Sequence, residues 1–380
     1  MSGQVAIVTG GAVNIGQGIV RSLRPPLISV LGPGGIRKLL IVLAFVVVAG
    51  YRLYLCYQPP ITSTDLLRYI GFGWEFWRYG LTIYNYPARA FGDTPYALLW
   101  PDLPFIYPAV CLLFFALLAK VWPALFFGKL ILTAMEGVNA FLVWKISHDR
   151  WLALLYFANP VSLWWVSREG QYEPLVNLFV LLAIYLLPRR STWAYLSLAL
   201  AIQAKYTPVF LLPYFLKQKR GPREAITFVV GFLPSLAFAL RSQYIFHILV
   251  SSHMAHSCNT YTWNLFDQSR LCGSPDWLVW ANALLTYGLL ALCLAFMVRR
   301  RQVTPYLGLA LFVVFLKSVS WAQFWYLLLV PALAMTVDDV WERRLLFLLS
   351  FSDSAALHSL FLRPFGWVNP SPPLEFMWKI

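Results

Sequence analysis

The stretch ITSTDLLRYIGFGWEFWRYGLTIYNYPARAFGDTPYALLWPDLPFIYP, residues 61–108, lies between two strongly apolar parts of the chain. It is too polar to cross a bilayer as one span, and connections longer than ~15 residues usually have a function. It also concentrates charge in a chain where charge is scarce, with Asp65, Arg68, Glu75, Arg78, Asp93 and Asp102. We therefore predict that this segment covers a functional site.

The composition indicates a membrane protein. Of the 380 residues, 59% are hydrophobic and 12% are charged, and the mean hydropathy is +0.64. Soluble proteins carry about 25% charged residues, so these values and the repeated apolar runs exclude a soluble class. The net charge of +14 is expected to reflect cytoplasmic basic residues and anionic lipid headgroups, and no nucleic-acid partner is predicted.

Residues 1–23 resemble the opening strand, glycine turn and helix of short-chain dehydrogenases. The parallel sheet that such a motif needs does not follow, and the Tyr-x-x-x-Lys pair of that family is absent from the chain. We interpret the segment as a fusion remnant, a misassigned start or a coincidence, within an extension over residues 1–37 that carries no predicted function. The matching positions are Thr9, Gly10, Gly11 and Gly16, and Asn14 stands where a glycine is usual.

The first apolar run, Leu39–Tyr57, has about the 20 residues needed to span a bilayer. Because Arg37 and Lys38 precede it, the positive-inside rule places residues 61–104 outside. Further apolar segments are expected at 105–121, 124–145, 151–167, 173–187, 192–216, 224–246, 277–298, 305–336 and 344–362.

Four basic clusters between these segments should be cytoplasmic. This requires residues 192–216 and 305–336 each to form two short helices that turn near Lys205 and Lys317. We predict an all-α polytopic domain over residues 38–363, with about 11–12 membrane segments. Residues 58–104 form its long first external loop and 364–380 a tail, and the number of crossings within 105–145 stays open.

Asp65 is expected in the first turn of a short interfacial helix, with N-cap candidates directly before it. Arg68 and Tyr69 follow at helical spacing, so all three share one face. One interpretation is that Asp65 complements the helix dipole and pairs with Arg68. The other is a carboxylate that accepts a proton beside a cation suited to phosphate.

Two further groups place polar side chains at or within apolar segments. Residues 168–173 read Arg-Glu-Gly-Gln-Tyr-Glu and either face a cavity or form an interfacial belt. The belt explains Glu173 less well, because an apolar span follows it directly. Lys205 and Lys317 lie within apolar stretches, either as contacts for a phosphate group or as luminal turn residues.

A predicted loop over residues 246–276 contains His253 and His256 at a spacing that could bind a metal on a helix. No carboxylate lies at ligand spacing nearby, so an aromatic and amide surface for a sugar or lipid headgroup, including Trp263 and Asn264, is favoured. Cys258 and Cys272 share this loop and could pair in an oxidising compartment, which the sequence leaves open. No metal site is predicted.

Three motifs resemble, in order and spacing, those of GT-C-fold glycosyltransferases. TDLLRYIGFGWEFWRYGLTIY followed by WPDLPFIYP is similar to the first external loop of polyprenol-phosphate-mannose-dependent mannosyltransferases and their GPI-mannosyltransferase relatives. NPVSLWWVSREGQYEPLVNLFVLLA and QAKYTPVFLLP are similar to two later motifs of the same family. The chain departs from the family pattern in Tyr107-Pro108-Ala109, which has one proline, and in Glu173, where aspartate is commoner.

The resemblance implies an inverting transferase that uses a lipid-phosphate-linked sugar. Asp65 would be the base on the acceptor hydroxyl, and Glu173 a second catalytic carboxylate. No cofactor is expected, because the donor carries its own activated bond, although a divalent metal stays possible. The implied substrate-binding residues are Arg68, Tyr69, Tyr84, Tyr107, Arg168, Gln171, Lys205, Trp263, Asn264 and Lys317.

The predicted activity is a membrane hexosyltransferase that moves a sugar, with mannose the first expectation, to a lipid, glycan or protein acceptor. The expected location is the plasma membrane of a prokaryote, or the endoplasmic reticulum of a eukaryote, with the site on the non-cytoplasmic face. The first alternative is a flippase or transporter of lipid-linked sugars, which would form no glycosidic bond. The second is a non-catalytic membrane subunit.

Overall fold

The computed structural model describes residues 26–60, 65–92, 104–218, 221–243 and 324–351, and every regular element in these ranges is a helix. Up to residue 157 the helices are α1 (Pro26–Tyr57), α2 (Asp65–Tyr79), α3 (Ala109–Val121), α4 (Leu125–Ser147) and α5 (Arg150–Phe157), with 3-10 turns at Gly80–Tyr84 and Ala88–Phe91.

The chain after α5 begins with one helical turn, Pro160–Ser162, and a π-helix, Leu163–Arg168. A 3-10 turn, Thr207–Leu211, separates α7 from α8, and another, Phe324–Leu328, precedes α11. The helices are α6 (Glu173–Leu186), α7 (Trp193–Ala204), α8 (Leu212–Gln218), α9 (Pro222–Gly231), α10 (Leu233–Ala239), α11 (Leu329–Ala334) and α12 (Val340–Leu349).

The described residues fall into two compact units, which divide between Val48 and Ala49. All contacts given below lie within the second unit. There, α6 packs against α4 and α7, and α2 packs against α3. The α2–α3 approach is close at Gly73, where any Cβ atom would overlap the backbone carbonyl of Phe115.

The helix boundaries agree with the expected breaks in two places. Residues 105–145 contain two helices, α3 and α4, and residues 192–216 contain α7 and α8 with Lys205 between them. Lys205 ends α7 in an extended conformation, with φ −158° and ψ 136°. The α7 helix therefore ends at Lys205, in the middle of the apolar stretch 192–216.

Two of the described helices are long and apolar enough to cross a membrane, over Gly35–Tyr57 and Leu125–Ser147. Three shorter apolar helices are α3, α6 and α7. The count of about 11–12 membrane segments stays a prediction. The segments expected at 277–298 and over most of 305–336 lie outside the described residues.

Candidate functional site

Asp65 is the first residue of α2, where the sequence predicted the first turn of a short helix. Its carboxylate is half-buried and its Oδ2 accepts a hydrogen bond from Nε2 of Gln171 at 2.9 Å. Gln171 is fully buried. A residue of the first loop and one just after the π-helix, 106 positions apart, therefore share a polar contact.

The backbone around Gly170 places Gln171 beside α2. The amide N–H of Gln171 donates to the carbonyl of Trp165 at 2.8 Å, which closes a wide turn at the end of the π-helix. Gly170 has a φ of +82°, a conformation that glycine adopts without steric cost. A Cβ atom there would lie 2.9 Å from the Cβ of Leu66, so a side chain is excluded as well.

We expect the substitution Gly170→Ala to lower the free energy of unfolding by about 2–4 kcal/mol, from backbone strain and overpacking together. The Cβ of Leu66 is fixed to the α2 backbone, so relief requires the loop and α2 to separate. Thermal unfolding in detergent measures this. The matched control is Gly50→Ala in α1, where nothing lies within 4 Å of the added atom. Equal melting temperatures for both variants would contradict the prediction.

Three tyrosines form a compact aromatic group beside Asp65. The rings of Tyr69, Tyr107 and Tyr172 meet edge to face, with centroids 5.0–5.6 Å apart. The hydroxyl groups of Tyr69 and Tyr107 are 3.1 Å apart, and the Tyr84 hydroxyl donates to the Tyr107 carbonyl at 2.9 Å. Burial raises the pKa of Tyr69 well above the ordinary value, so this phenol stays protonated and donates its hydrogen bond to Tyr107.

Arg68 lies one turn after Asp65 and is 4% exposed. Its guanidinium donates from Nη2 to the carbonyl of Pro104 at 2.9 Å and lies over the ring of Phe72. The contact with Pro104 joins the far end of the first loop to α2. Arg68 therefore places a positive charge on the same face of α2 as Asp65.

Glu173 and Lys205 form a buried ion pair, with Nζ 2.5 Å from Oε1 and both side chains at most 5% exposed. Glu173 begins α6, and Lys205 follows α7. The ammonium also lies over the rings of Tyr172 and Tyr326, at 5.2 and 3.8 Å from their centroids. Tyr172 contacts Tyr69 of α2 and also lies beneath the Lys205 ammonium, so the ion pair and the first-loop carboxylate belong to one site.

The structure thus brings together eight of the predicted site residues, namely Asp65, Arg68, Tyr69, Tyr84, Tyr107, Gln171, Glu173 and Lys205. Arg168 lies elsewhere, over the ring of Trp164 and within electrostatic reach of Tyr51 and Tyr54 of α1. Trp263, Asn264 and Lys317 fall outside the described residues, as do His253, His256, Cys258 and Cys272.

Three buried charges near this site were absent from the sequence prediction. Arg52 of α1 and Lys129 and Glu136 of α4 are each at most 1% exposed. Each of the three is a charged residue inside an apolar run. The same pattern is the reason for predicting a functional role for Lys205. Lys129 donates to the carbonyl of Gln58 at 2.6 Å and interacts with Glu169.

The arrangement suits proton transfer and anion binding. A half-buried carboxylate is held by an amide, with an arginine, a paired lysine and protonated phenols around it. Within residues 26–60, 65–92, 104–218, 221–243 and 324–351, no group of three or more His, Cys, Asp or Glu could hold a metal ion. The independence from metals and cofactors stays a prediction.

The profile of glycosyltransferase family 87 matches residues 105–322, which is more than half of the chain. The matched range contains Tyr107, Gln171, Glu173 and Lys205, whereas Asp65 and Arg68 precede it. No curated protein and no solved structure matches the chain significantly.

Proposed function

The chain belongs to glycosyltransferase family 87, and from this premise we propose that it is a hexosyltransferase that takes its sugar from a polyprenyl phosphate. Mannose is the first sugar we expect, and a lipid, glycan or protein carries the acceptor hydroxyl. The observation that supports this most is the single cluster formed by Asp65, Gln171, Glu173 and Lys205.

The lipid-linked donor is favoured by where the charges lie. A polyprenyl phosphate is a lipid with an anionic leaving group, so its site needs cations beside apolar helices. Arg68 lies on α2, and Lys205 lies between the apolar helix α7 and α8. The glycosidic phosphate bond is already activated, so the proposal requires neither a nucleotide nor a metal.

In the proposed reaction the acceptor oxygen attacks the anomeric carbon while the bond from that carbon to the phosphate oxygen breaks. The attack comes from the opposite face, so the configuration inverts. Asp65 accepts the hydroxyl proton and later releases it to solvent. The products are the glycoside and polyprenyl phosphate, whose growing negative charge is stabilised by Arg68 and Lys205.

The neighbouring groups fit supporting roles in this reaction. Gln171 donates to Asp65 Oδ2 and so fixes the orientation of this carboxylate. Glu173 orients Lys205 through one N–H, and an ammonium has two more to offer a phosphate. Tyr107, which is half-buried, supplies an aromatic ring of the kind that binds sugars, and the buried Tyr69 and Tyr172 pack against it.

We further propose a GT-C-like polytopic fold with this site on the non-cytoplasmic face, in the plasma membrane if the source is a prokaryote. The support is the helical architecture of the described residues together with the positive-inside argument. Labelling of a single introduced cysteine near Asp65 by a membrane-impermeant reagent in intact cells reports the side.

The test is sugar transfer by purified protein in detergent. Labelled polyprenyl-phosphate mannose, glucose and arabinose are each incubated with membrane lipid extract, in parallel with the corresponding nucleotide sugars. We expect label in a new product from one of the lipid-linked donors and none from the nucleotide sugars. Transfer from a nucleotide sugar alone would overturn the proposed donor class.

The rival functions give different results in this assay. A transporter would move labelled lipid across a reconstituted vesicle without forming a new glycosidic bond. A non-catalytic subunit would give no product alone but would restore activity to a partner. Either result in place of transfer would refute the proposed enzyme.

A further inference from the structure

Arg52 lies in the apolar helix α1, is 0% exposed and donates four hydrogen bonds. Burying an arginine within a membrane helix is costly, and such residues usually have a function. The catalytic step proposed above does not use Arg52. Its partners are the Phe157 carbonyl and the hydroxyl groups of Ser162 and Ser167.

The first partner is the carbonyl of Phe157, the last residue of α5. The α5 helix ends at Phe157, and Pro160 offers no backbone N–H to continue it. The next N–H, that of Val161, donates to the Asn159 side chain instead. The Phe157 carbonyl therefore accepts from Nε and Nη2 of Arg52, at 2.9 and 2.7 Å.

The other two partners bracket the π-helix Leu163–Arg168. Ser162 directly precedes it and accepts from Nη2 at 2.8 Å, while Ser167 lies in its last turn and accepts from Nη1 at 2.8 Å. Ser167 also accepts from Thr133 of α4 at 3.1 Å. One planar guanidinium thus fixes the end of α5 and both ends of the π-helix.

The π-helix leads directly to the site. Its last turn passes through Gly170 to Gln171, which donates to Asp65. Short π-helical segments are frequent at functional sites, and this one sets where Gln171 emerges. A guanidinium can hold three acceptors in a fixed plane, whereas an ammonium of the same charge cannot reproduce that geometry.

We infer that Arg52 is a positioning residue for Asp65. It acts through the π-helix and Gln171, and the inference rests on the proposed function. Glu136 of α4 lies within electrostatic reach of Arg52. Arg52 itself touches no reacting group.

The test is a double-mutant cycle on transferase activity with Arg52→Lys, Gln171→Ala and the double variant. We expect Arg52→Lys to lower kcat about tenfold and leave the KM for the lipid-linked donor within about twofold, because misplacing the base affects the chemical step. In the Gln171→Ala background, Arg52→Lys should lower kcat by less than about twofold, because Arg52 acts on Asp65 through Gln171. Ser167→Ala removes one acceptor of the Arg52 guanidinium, so it should lower kcat in the same way but by less than Arg52→Lys.

The controls separate positioning from a general loss of fold. Arg150→Lys changes an exposed arginine and should leave kcat unchanged. Hydrogen exchange, which needs no substrate, should show faster exchange at residues 163–171 in Arg52→Lys than in the wild type, with α7 unaffected. Independent, multiplicative losses in the cycle, or unchanged exchange at 163–171, would overturn the inference even where the wild type is an active transferase. If the wild type shows no transfer but Arg52→Lys gives the expected exchange pattern, the proposed function is refuted. The role of Arg52 in fixing the π-helix then still stands.

Discussion

Replacing Asp65 by Asn is expected to lower the rate of sugar transfer by about 10³-fold while the protein stays folded, because a general base contributes 10²–10⁴-fold. Asparagine has the shape of aspartate, and its carbonyl oxygen can still accept the hydrogen bond from Gln171. What it lacks is the ability to take the acceptor proton at neutral pH. The KM for the donor should change little, because the phosphate contacts are retained.

The matched control is Asp338→Asn, which removes an exposed carboxylate near α12 and should leave transfer unchanged. Initial rates with labelled donor, together with a size-exclusion profile and a melting temperature, measure the effect. If Asp65→Asn keeps more than a tenth of the wild-type rate, Asp65 is not the base. Glu173 is then the next carboxylate to test.

Replacing Lys205 by Met is expected to reduce the free energy of unfolding by about 3–5 kcal/mol, because it leaves the Glu173 carboxylate buried without its partner. Transfer should be lost as well, since the proposed phosphate contact disappears. Both side chains are at most 5% exposed, so water cannot easily replace the lost ammonium. Denaturant unfolding in detergent and transfer assays measure the two effects separately.

The double variant Lys205→Met/Glu173→Gln distinguishes stability from chemistry. Removing both charges should restore most of the lost stability, because a neutral buried pair avoids the unpaired carboxylate. Activity should stay low, because no cation replaces Lys205. Lys145→Met, which removes a half-buried lysine from the end of α4, is the control. Recovery of full activity in the double variant would exclude Lys205 from phosphate binding.

Local patterns in the sequence predicted the local parts of this site. The threonines and serine before Asp65 and the spacing to Arg68 placed a helix start there, and α2 begins at Asp65. The basic clusters on both sides of residues 192–216, placed in the cytoplasm, predicted a break near Lys205, which the structure shows as an extended residue. Both predictions use the residues along one stretch of chain and no contact between distant segments.

Contacts between distant segments could not be predicted from the sequence, because the rotation and pairing of helices depend on packing of the whole bundle. The Lys205–Glu173 pair and the Gln171–Asp65 hydrogen bond are of this kind. Closeness in sequence can also mislead. Arg168 shares a motif with Gln171, but its guanidinium lies over the Trp164 ring and does not join the tyrosine group. The unused signals were Arg52, Lys129 and Glu136, which are charged residues within apolar runs.

The four hydrogen bonds of Arg52 also set an order of events during synthesis. Its nearest acceptor in sequence is the Phe157 carbonyl, 105 residues later, and Ser167 is 115 residues later. At about 5–20 residues per second, roughly 5–20 s pass between the emergence of α1 from the ribosome and that of its partners. During this interval the guanidinium lacks these acceptors, so water or another partner has to satisfy its N–H groups. The hydrogen bonds of Arg52 are therefore a late step of biogenesis, completed only after Phe157, Ser162 and Ser167 have been synthesised.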